Sequence, residues 1–124
     1  MMNLFRSGRF VLHSGGESNL FIDCDALADE DWRAITKIVA SKIAYRCAIG
    51  VVAGGEKFAD ALNLCNRDKD APILLVDDVL TTGISMERLR WGYLRSESIG
   101  IVLFARGECP DWIHPIFELD KFWG

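Results

Sequence analysis

The stretch that most constrains the fold of this chain covers residues 72–90 and reads PILLVDDVLTTGISMERLR. Its first part, residues 73–76, is a short continuous apolar run, which is typical of a strand buried on both faces. Two acids, Asp77 and Asp78, follow this run, and a helical pattern begins after a Thr/Gly/Ser loop. We therefore predict a strand, a loop and a helix start. Such a junction places the loop at the carboxyl end of a parallel strand, where open α/β sheets bind ligands.

The loop after the two acids contains residue types that can hold an anion. Thr81, Thr82 and Ser85 offer hydroxyl donors, and Gly83 allows the backbone to approach an anion closely. The amino end of the following helix adds roughly half a positive charge. The two carboxylates can accept hydrogen bonds from neighbouring ring hydroxyls, each contributing on the order of 1.5–3 kcal/mol. A ribose 5-phosphate fits this description.

The sequence VDDVLTTGIS resembles the phosphoribosyl-pyrophosphate (PRPP) motif of the type I phosphoribosyltransferases. The resemblance implies catalytic roles for Asp77 and Asp78 beside the ribose ring. It also implies that PRPP is bound by Thr81, Thr82, Gly83, Ile84 and Ser85. Two other interpretations stay open. A response-regulator receiver domain also carries acids after a strand, although its acid pair opens the chain, and a solvated strand end with Ser85 as a helix cap would contain the same residues.

Residues 9–23, RFVLHSGGESNLFID, predict a β-hairpin, because two β-prone runs, 10–12 and 20–22, flank a group of turn residues. The pattern resembles the amino-terminal hood of the orotate phosphoribosyltransferases. The matching positions are Phe10, Leu12, Ser14, Gly15, Ser18, Phe21 and Asp23. His13 stands where that group often carries a lysine, and a neutral imidazole does not supply the same permanent charge.

A second strand, loop and helix unit is predicted earlier in the chain. Residues 29–46 form a helix by spacing, with Asp29 as its N-cap and an apolar stripe at Trp32, Ile35, Val39 and Ile43. Residues 48–53 read as a buried strand, and a helix with Phe58, Ala61, Leu62 and Cys65 on one side follows.

The loop of this unit lies where the resembled family binds pyrophosphate. The resemblance therefore implies substrate binding by Ala53, Gly54, Gly55 and Lys57. Lys57 would reach a diphosphate as a point charge, whereas Glu56 would repel one unless it is turned away or engaged by a metal. The alternative is an ordinary turn with Lys57 in solvent.

The connection from this helix to the strand at residue 73 is short. Related transferases carry a long excursion there, with a mobile basic loop that closes over the reaction, and this chain lacks it. Losing one well-placed charge costs on the order of 10²–10³ in rate. Arg67 and Lys69 are the available cations, and a solvated turn is the simpler interpretation of both.

After the central loop, Ser98–Ala105 is predicted to be a third buried strand. Arg106 follows it, and orotate enzymes often place an arginine there, near the carboxylate or carbonyl of the base. An ion pair of Arg106 with Glu108 or Asp111 is the alternative. In the aromatic segment 109–124, residues 116–119 are expected to form an edge strand, and we expect this segment to cover a sheet edge or to lie in a homodimer interface.

The bulk properties agree with one small soluble domain. With 124 residues the chain is long enough for a single core, which we divide into a hood (1–28), an α/β core (29–108) and a tail (109–124). The net charge of −4 argues against unspecific nucleic-acid binding. The four cysteines lack metal-ligand or disulfide spacing, so no protein metal site is expected. No secretory signal or membrane span is recognised, and a cytoplasmic setting is expected.

These observations predict an α/β fold with a short, mostly parallel sheet flanked by helices and a hairpin hood, as in the phosphoribosyltransferases. The expected function is binding of PRPP or a nucleotide 5′-phosphate, with transfer of ribose 5-phosphate to orotate or a related base if the chain is active. Mg²⁺ would enter with PRPP. Two alternatives remain, a PRPP- or nucleotide-binding module without turnover and a purely structural protein.

Overall fold

The computed structural model describes residues 4–11, 17–65 and 68–119. The strands are β1 (Phe5–Val11), β2 (Glu17–Ile22), β3 (Ala48–Gly50), β4 (Ile73–Leu80), β5 (Ser98–Ala105) and β6 (Ile113–Glu118). The α-helices are α1 (Asp29–Lys42), α2 (Glu56–Leu62) and α3 (Ile84–Arg90), and two 3-10 turns cover Cys24–Ala26 and Arg95–Glu97. The predicted fold class is confirmed.

Strands β3 to β6 form one parallel sheet in the order β3-β4-β5-β6. β1 and β2 form a separate antiparallel hairpin, as predicted for the hood, but both strands begin earlier than predicted. β1 begins at Phe5 rather than residue 10, and β2 begins at Glu17 rather than residue 20, because Val11 pairs with Glu17. The β6 strand begins three residues before the expected residue 116, since the backbone N–H of Gly100 in β5 already bonds to the carbonyl of Trp112 at 2.8 Å. The sheet is therefore parallel throughout, with β3 and β6 at its edges.

Two apolar clusters cover the two faces of this sheet. α1 and α2 pack over Leu74 and Val76, whereas α3 packs over Leu75 and Val102. This division follows from the alternation of side chains along β4, whose apolar run supplies a buried residue to each face. Ile22 of the hood belongs to the first cluster. The backbone N–H of Asp23 donates to the carbonyl of Leu4, so the two ends of the hairpin are hydrogen-bonded to each other.

The first helix differs from its prediction at both ends. Its N-cap is Ala28 rather than Asp29, and the Ala28 backbone N–H donates to Asp31 Oδ2 at 2.8 Å. It ends at Lys42 rather than residue 46, because Tyr45 turns into the core and its hydroxyl donates to the Leu62 carbonyl at 2.7 Å. The helix therefore ends before its apolar spacing does, because this buried hydrogen bond holds Tyr45 in the core.

β3 is shorter and β4 is longer than the apolar runs suggest. β3 ends at Gly50 because a turn begins at the next residue. In this turn the Gly55 N–H donates to the Val51 carbonyl at 2.7 Å. β4 continues through both acids to Leu80 because it pairs with β5 over that whole length. No helix in the described parts of the chain is long and apolar enough to cross a membrane.

Candidate functional site

The two acids lie in the last half of β4, at the carboxyl end of the sheet. Asp77 is 9% exposed, and its Oδ1 accepts the backbone N–H of Asp78 at 2.8 Å. Asp78 is half-buried, and its Oδ1 accepts the backbone N–H of Val79 at 2.7 Å. These bonds fix the direction of each carboxylate, because each oxygen is held by the next residue of its own strand.

The glycine loop between β3 and α2 lies directly against this acid pair. A Cβ atom added to Gly54 would lie 2.6 Å from Asp78 Oδ1 and 3.0 Å from Asp77 Oδ1. No side chain fits in such a gap, so glycine at this position is a requirement of the contact. The structure therefore brings together two segments that the sequence analysis singled out separately.

The second glycine of the loop is fixed by the sheet itself. Gly55 is buried, and a Cβ there would collide with the Val76 carbonyl oxygen and lie 2.7 Å from the Val51 nitrogen. The Val51 N–H in turn donates to the Val76 carbonyl at 2.9 Å. Ala53 is exposed, and the peptide bond between it and Val52 is cis. The loop backbone thus sits next to β4 just before the acids begin.

The Thr/Gly/Ser loop connects β4 to α3 as predicted. Gly83 is the N-cap of α3 and has φ +82°, a left-handed conformation that L side chains rarely adopt. Thr82 Oγ1 accepts the Ile84 backbone N–H at 3.4 Å. Thr82, Ile84 and Ser85 are exposed, whereas Thr81 and Gly83 are half-buried. The alternative with Ser85 as the helix cap is wrong, because α3 has already begun at Ile84.

Arg106 lies beside this loop. Its backbone N–H donates to the Leu80 carbonyl at 2.9 Å, and a Cβ at Gly107 would be 4.0 Å from the Thr81 carbonyl oxygen. The side chain is half-buried, and burial lowers its pKa from the ordinary value. An arginine keeps its charge under these conditions, so a cation stands at the same end of the sheet as the acids.

Burial changes the protonation of the acid pair. The pKa of Asp77 is raised from 3.8 to about 8, first by desolvation, then by its side-chain hydrogen bond to Asp78 and by the charge of Asp78. A backbone hydrogen bond from Asp78 opposes this shift. At neutral pH, Asp77 therefore holds a proton, because two adjacent carboxylates in a buried place do not both ionise easily.

Cys24, in the turn that follows the hood, lies close to the acid pair. Its thiol is buried, and its pKa is raised well above the usual range by desolvation and then by the charge of Asp78. Nothing in the sequence indicates that this thiol lies near the acids. The hood is thereby placed at the same end of the sheet as the predicted site.

Lys57, at the start of α2, reaches the hood rather than open solvent. Its Nζ lies 3.6 Å from Asp25 Oδ1, and the two side chains are 61% and 81% exposed. An exposed pair of this kind contributes little stability. Asp25 is a residue that the sequence analysis missed, and its only signal was that it follows the predicted hairpin. His13, Ser14, Gly15 and Arg67 lie outside the described residues.

Within residues 4–11, 17–65 and 68–119, no group of three or more His, Cys, Asp or Glu side chains is placed to hold a metal ion. The acid pair offers hard oxygen donors, which suit a magnesium ion that arrives already bound to a diphosphate. The site is thus compatible with a metal carried by its substrate.

The sequence matches no protein-family model and no curated protein. Solved structures are similar to it, among them the orotate phosphoribosyltransferase of Aeropyrum pernix, with 23% identity, a TM-score of 0.71, and coverage of 96% of this chain and 90% of that one. The orotate phosphoribosyltransferase of Mycobacterium tuberculosis, in complex with Fe(III) dicitrate, has 15% identity, a TM-score of 0.63, and coverage of 93% and 89%. That of Francisella tularensis has 16% identity, a TM-score of 0.59, and coverage of 93% and 80%. The chain therefore has the type I phosphoribosyltransferase fold in the form seen in orotate phosphoribosyltransferases.

Proposed function

We propose that this chain binds PRPP or a nucleotide 5′-phosphate at the sheet edge where the acid pair, the loop from Thr81 to Ser85 and the glycine loop meet. The observation that carries the proposal is the position of Gly54. Because glycine has no side chain, the glycine loop lies in contact with Asp77 and Asp78. Two segments distant in sequence converge there at the carboxyl ends of parallel strands, which is the ligand-binding edge of such sheets.

Each part of this site has a distinct task in the proposed complex. Asp78 accepts hydrogen bonds from the ribose hydroxyls, while protonated Asp77 donates to it and holds it in place. The hydroxyls of Thr81, Thr82 and Ser85 surround the 5′-phosphate, and Gly83 lets the loop turn closely around it. The glycine loop, with Lys57 at its end, faces the diphosphate.

The proposed reaction is transfer of ribose 5-phosphate to orotate or a related base. As pyrophosphate leaves C1 of the ribose, positive charge develops on the ring, and the side chain of Asp78 stabilises it. Mg²⁺ bound with PRPP would neutralise the diphosphate, and Asp78 is the protein oxygen donor best placed to face it. Arg106, beside the same loop, is the cation that would face the carboxylate of the base.

A second candidate is binding without turnover. It is favoured by the short connection between α2 and β4, which is limited to residues 63–72, and by the contact of Lys57 with Asp25 rather than with the acid pair. In the described part of that connection, Lys69 lies on an exposed turn. A chain built this way retains a site for the sugar phosphate but has less cationic charge for the departing pyrophosphate.

Calorimetry with Mg-PRPP tests the binding site. We expect binding by the wild-type chain and about a ten- to hundredfold weaker affinity for Asp78→Asn, because one charge-assisted interaction is lost. The amide introduced by this substitution still presents an oxygen to the Val79 N–H, so the strand is preserved. Asp60→Asn, an exposed acid on α2, is the matched control and should bind as the wild type does.

If neither the wild type nor Asp78→Asn gives a heat of binding with Mg-PRPP, only the purely structural alternative remains. Where binding is found, release of pyrophosphate in the presence of orotate separates the transferase from the binding module. Release that depends on orotate and on Asp78 supports transfer, whereas binding without release supports the second candidate.

A further inference from the structure

The outward face of α3 and the turn after it carry an exposed apolar and basic surface. Ile84, Arg88 and Trp91 have helical spacing of four and three residues and therefore share one face, opposite buried Met86. Ile84 is 53% exposed and Trp91 is 77% exposed. Leu94, 66% exposed, and exposed Arg95 follow within one further turn of chain. We call Arg88, Trp91, Leu94 and Arg95 the α3 patch, and Ile84 at its edge belongs to the proposed sugar-phosphate loop.

The remaining charges of this helix are already engaged below the patch. Glu87, the acid of α3, accepts the indole N–H of Trp112 at 2.8 Å, and the Arg90 guanidinium lies 4.2 Å from the centre of the Trp112 ring. Among the described residues, Arg88 and Arg95 have no ion-pair partner. These two cations stand three residues before and four residues after the exposed Trp91 in the sequence.

We propose that the α3 patch docks an acidic polypeptide segment of another protein, one that carries large apolar side chains among its acids. Tryptophan is rarely so exposed without a partner, and tryptophan and arginine are the residues that most often dominate binding at interfaces. The acids of the segment pair with Arg88 and Arg95, and its apolar side chains cover Trp91 and Leu94. Glu97, exposed after Arg95, sets the outer limit of the positive surface.

A second copy of this chain fits the α3 patch less well. The exposed acids Asp29, Glu30 and Asp31 begin α1, which packs on the opposite face of the sheet. A contact between that turn and the α3 patch would join two different surfaces, and such contacts lead to open chains of molecules rather than closed dimers.

Nucleic acid and anionic membranes also fit less well. The exposed Trp91 ring could stack on a base, but two cations in a chain of net charge −4 provide only a weak field for a polyanion. Anionic lipid attracts each surface cation by only about 1 kcal/mol, and α3 is too short to lie in a membrane interface as an amphipathic helix.

The test measures fluorescence anisotropy of a labelled synthetic peptide with Glu on one helical face and Leu and Phe on the other. We expect saturable binding that weakens with salt. Trp91→Ala should weaken it roughly thirtyfold, and Arg88→Glu with Arg95→Glu at least about tenfold. Arg33→Glu with Lys37→Glu, the same charge reversal on exposed positions of α1, should leave it unchanged.

The other outcomes overturn the proposal. One is that the wild-type chain does not bind the peptide, and another is that the patch variants bind it as well as the α1 control does. A third is that a peptide with Lys in place of Glu binds as tightly as the acidic peptide. The last is that the chain binds oligothymidylate or phosphatidylserine vesicles in preference to the acidic peptide. Circular dichroism and the urea midpoint of each variant show that the fold is retained. Because the variants lie outside the proposed sugar-phosphate site, their Mg-PRPP affinity should equal that of the wild type.

Discussion

Replacing Asp77 with asparagine should stabilise the fold, and increasingly so as the pH rises. The pKa of Asp77 is 3.8 in a free chain and about 8 in the folded protein. Between these values the unfolded chain has lost the proton that the folded chain still holds, so folding becomes less favourable as the pH increases. The asparagine side chain carries no ionisable proton, and its oxygen can still accept the Asp78 N–H.

The magnitude follows from the width of this window. From 3.8 to about 8 is roughly four pH units, and each contributes about 1.4 kcal/mol, so the full effect is on the order of 6 kcal/mol. The advantage of Asp77→Asn should therefore be small near pH 4, grow through neutral pH and become constant above about pH 8. Such an effect is comparable with the whole stability of a small domain.

Urea denaturation followed by tryptophan fluorescence, repeated between about pH 4 and 9, measures this difference. Equal slopes against urea for both chains establish that the comparison concerns stability alone. Asp60→Asn serves as the exposed control and should follow the wild type at every pH. The reasoning is refuted if the curves of Asp77→Asn and the wild type stay parallel, because Asp77 would then be ionised throughout.

Three further changes test the geometry of the site. Gly54→Ala places a methyl group 2.6 Å from an aspartate oxygen, so it should cost about 1–3 kcal/mol and abolish Mg-PRPP binding. Gly92→Ala, whose new methyl group meets only a carbonyl oxygen at 3.7 Å, is its control, and equal losses from both would contradict the role of the loop contact. Gly83→Ala should lose about 1–2 kcal/mol in chemical denaturation because φ is +82°, and an unchanged midpoint would mean that the loop can adopt another conformation. Asp25→Asn should change stability by less than about 1 kcal/mol, since the pair with its lysine is exposed, and a larger loss in the same assay would show that this contact holds the hood in place.

The parts of the fold that the sequence predicts are those set by local composition. The apolar runs of β4 and β5 and the loop at Thr81–Gly83 contain their own signals, so strand, turn and helix start are found at the expected places. The end of α1 carries no such signal. It depends on a hydrogen bond between Tyr45 and the carbonyl of Leu62, distant in sequence, which outweighs the apolar spacing that continues to Ile43.

The candidate site shows the same limit. The sequence identified the acids and the glycine loop, because each follows a recognisable strand. It could not show that Gly54 touches both acids, that Lys57 turns toward Asp25 or that Asp77 keeps a proton. These properties arise from the packing of segments that are far apart in the chain, and burial in particular is a property of the finished fold.

The proton retained by Asp77 has a consequence for how binding is measured. In the proposed complex Asp77 keeps this proton, so Mg-PRPP would bind without releasing it. A ligand that needs both carboxylates in their ionised form would instead expel the proton into the solution, and the buffer would take it up. The heat recorded for binding at neutral pH then changes with the ionisation enthalpy of the buffer, and the slope of that dependence counts the protons released. Titrations in phosphate, imidazole and Tris would thus read the charge state of the pocket directly.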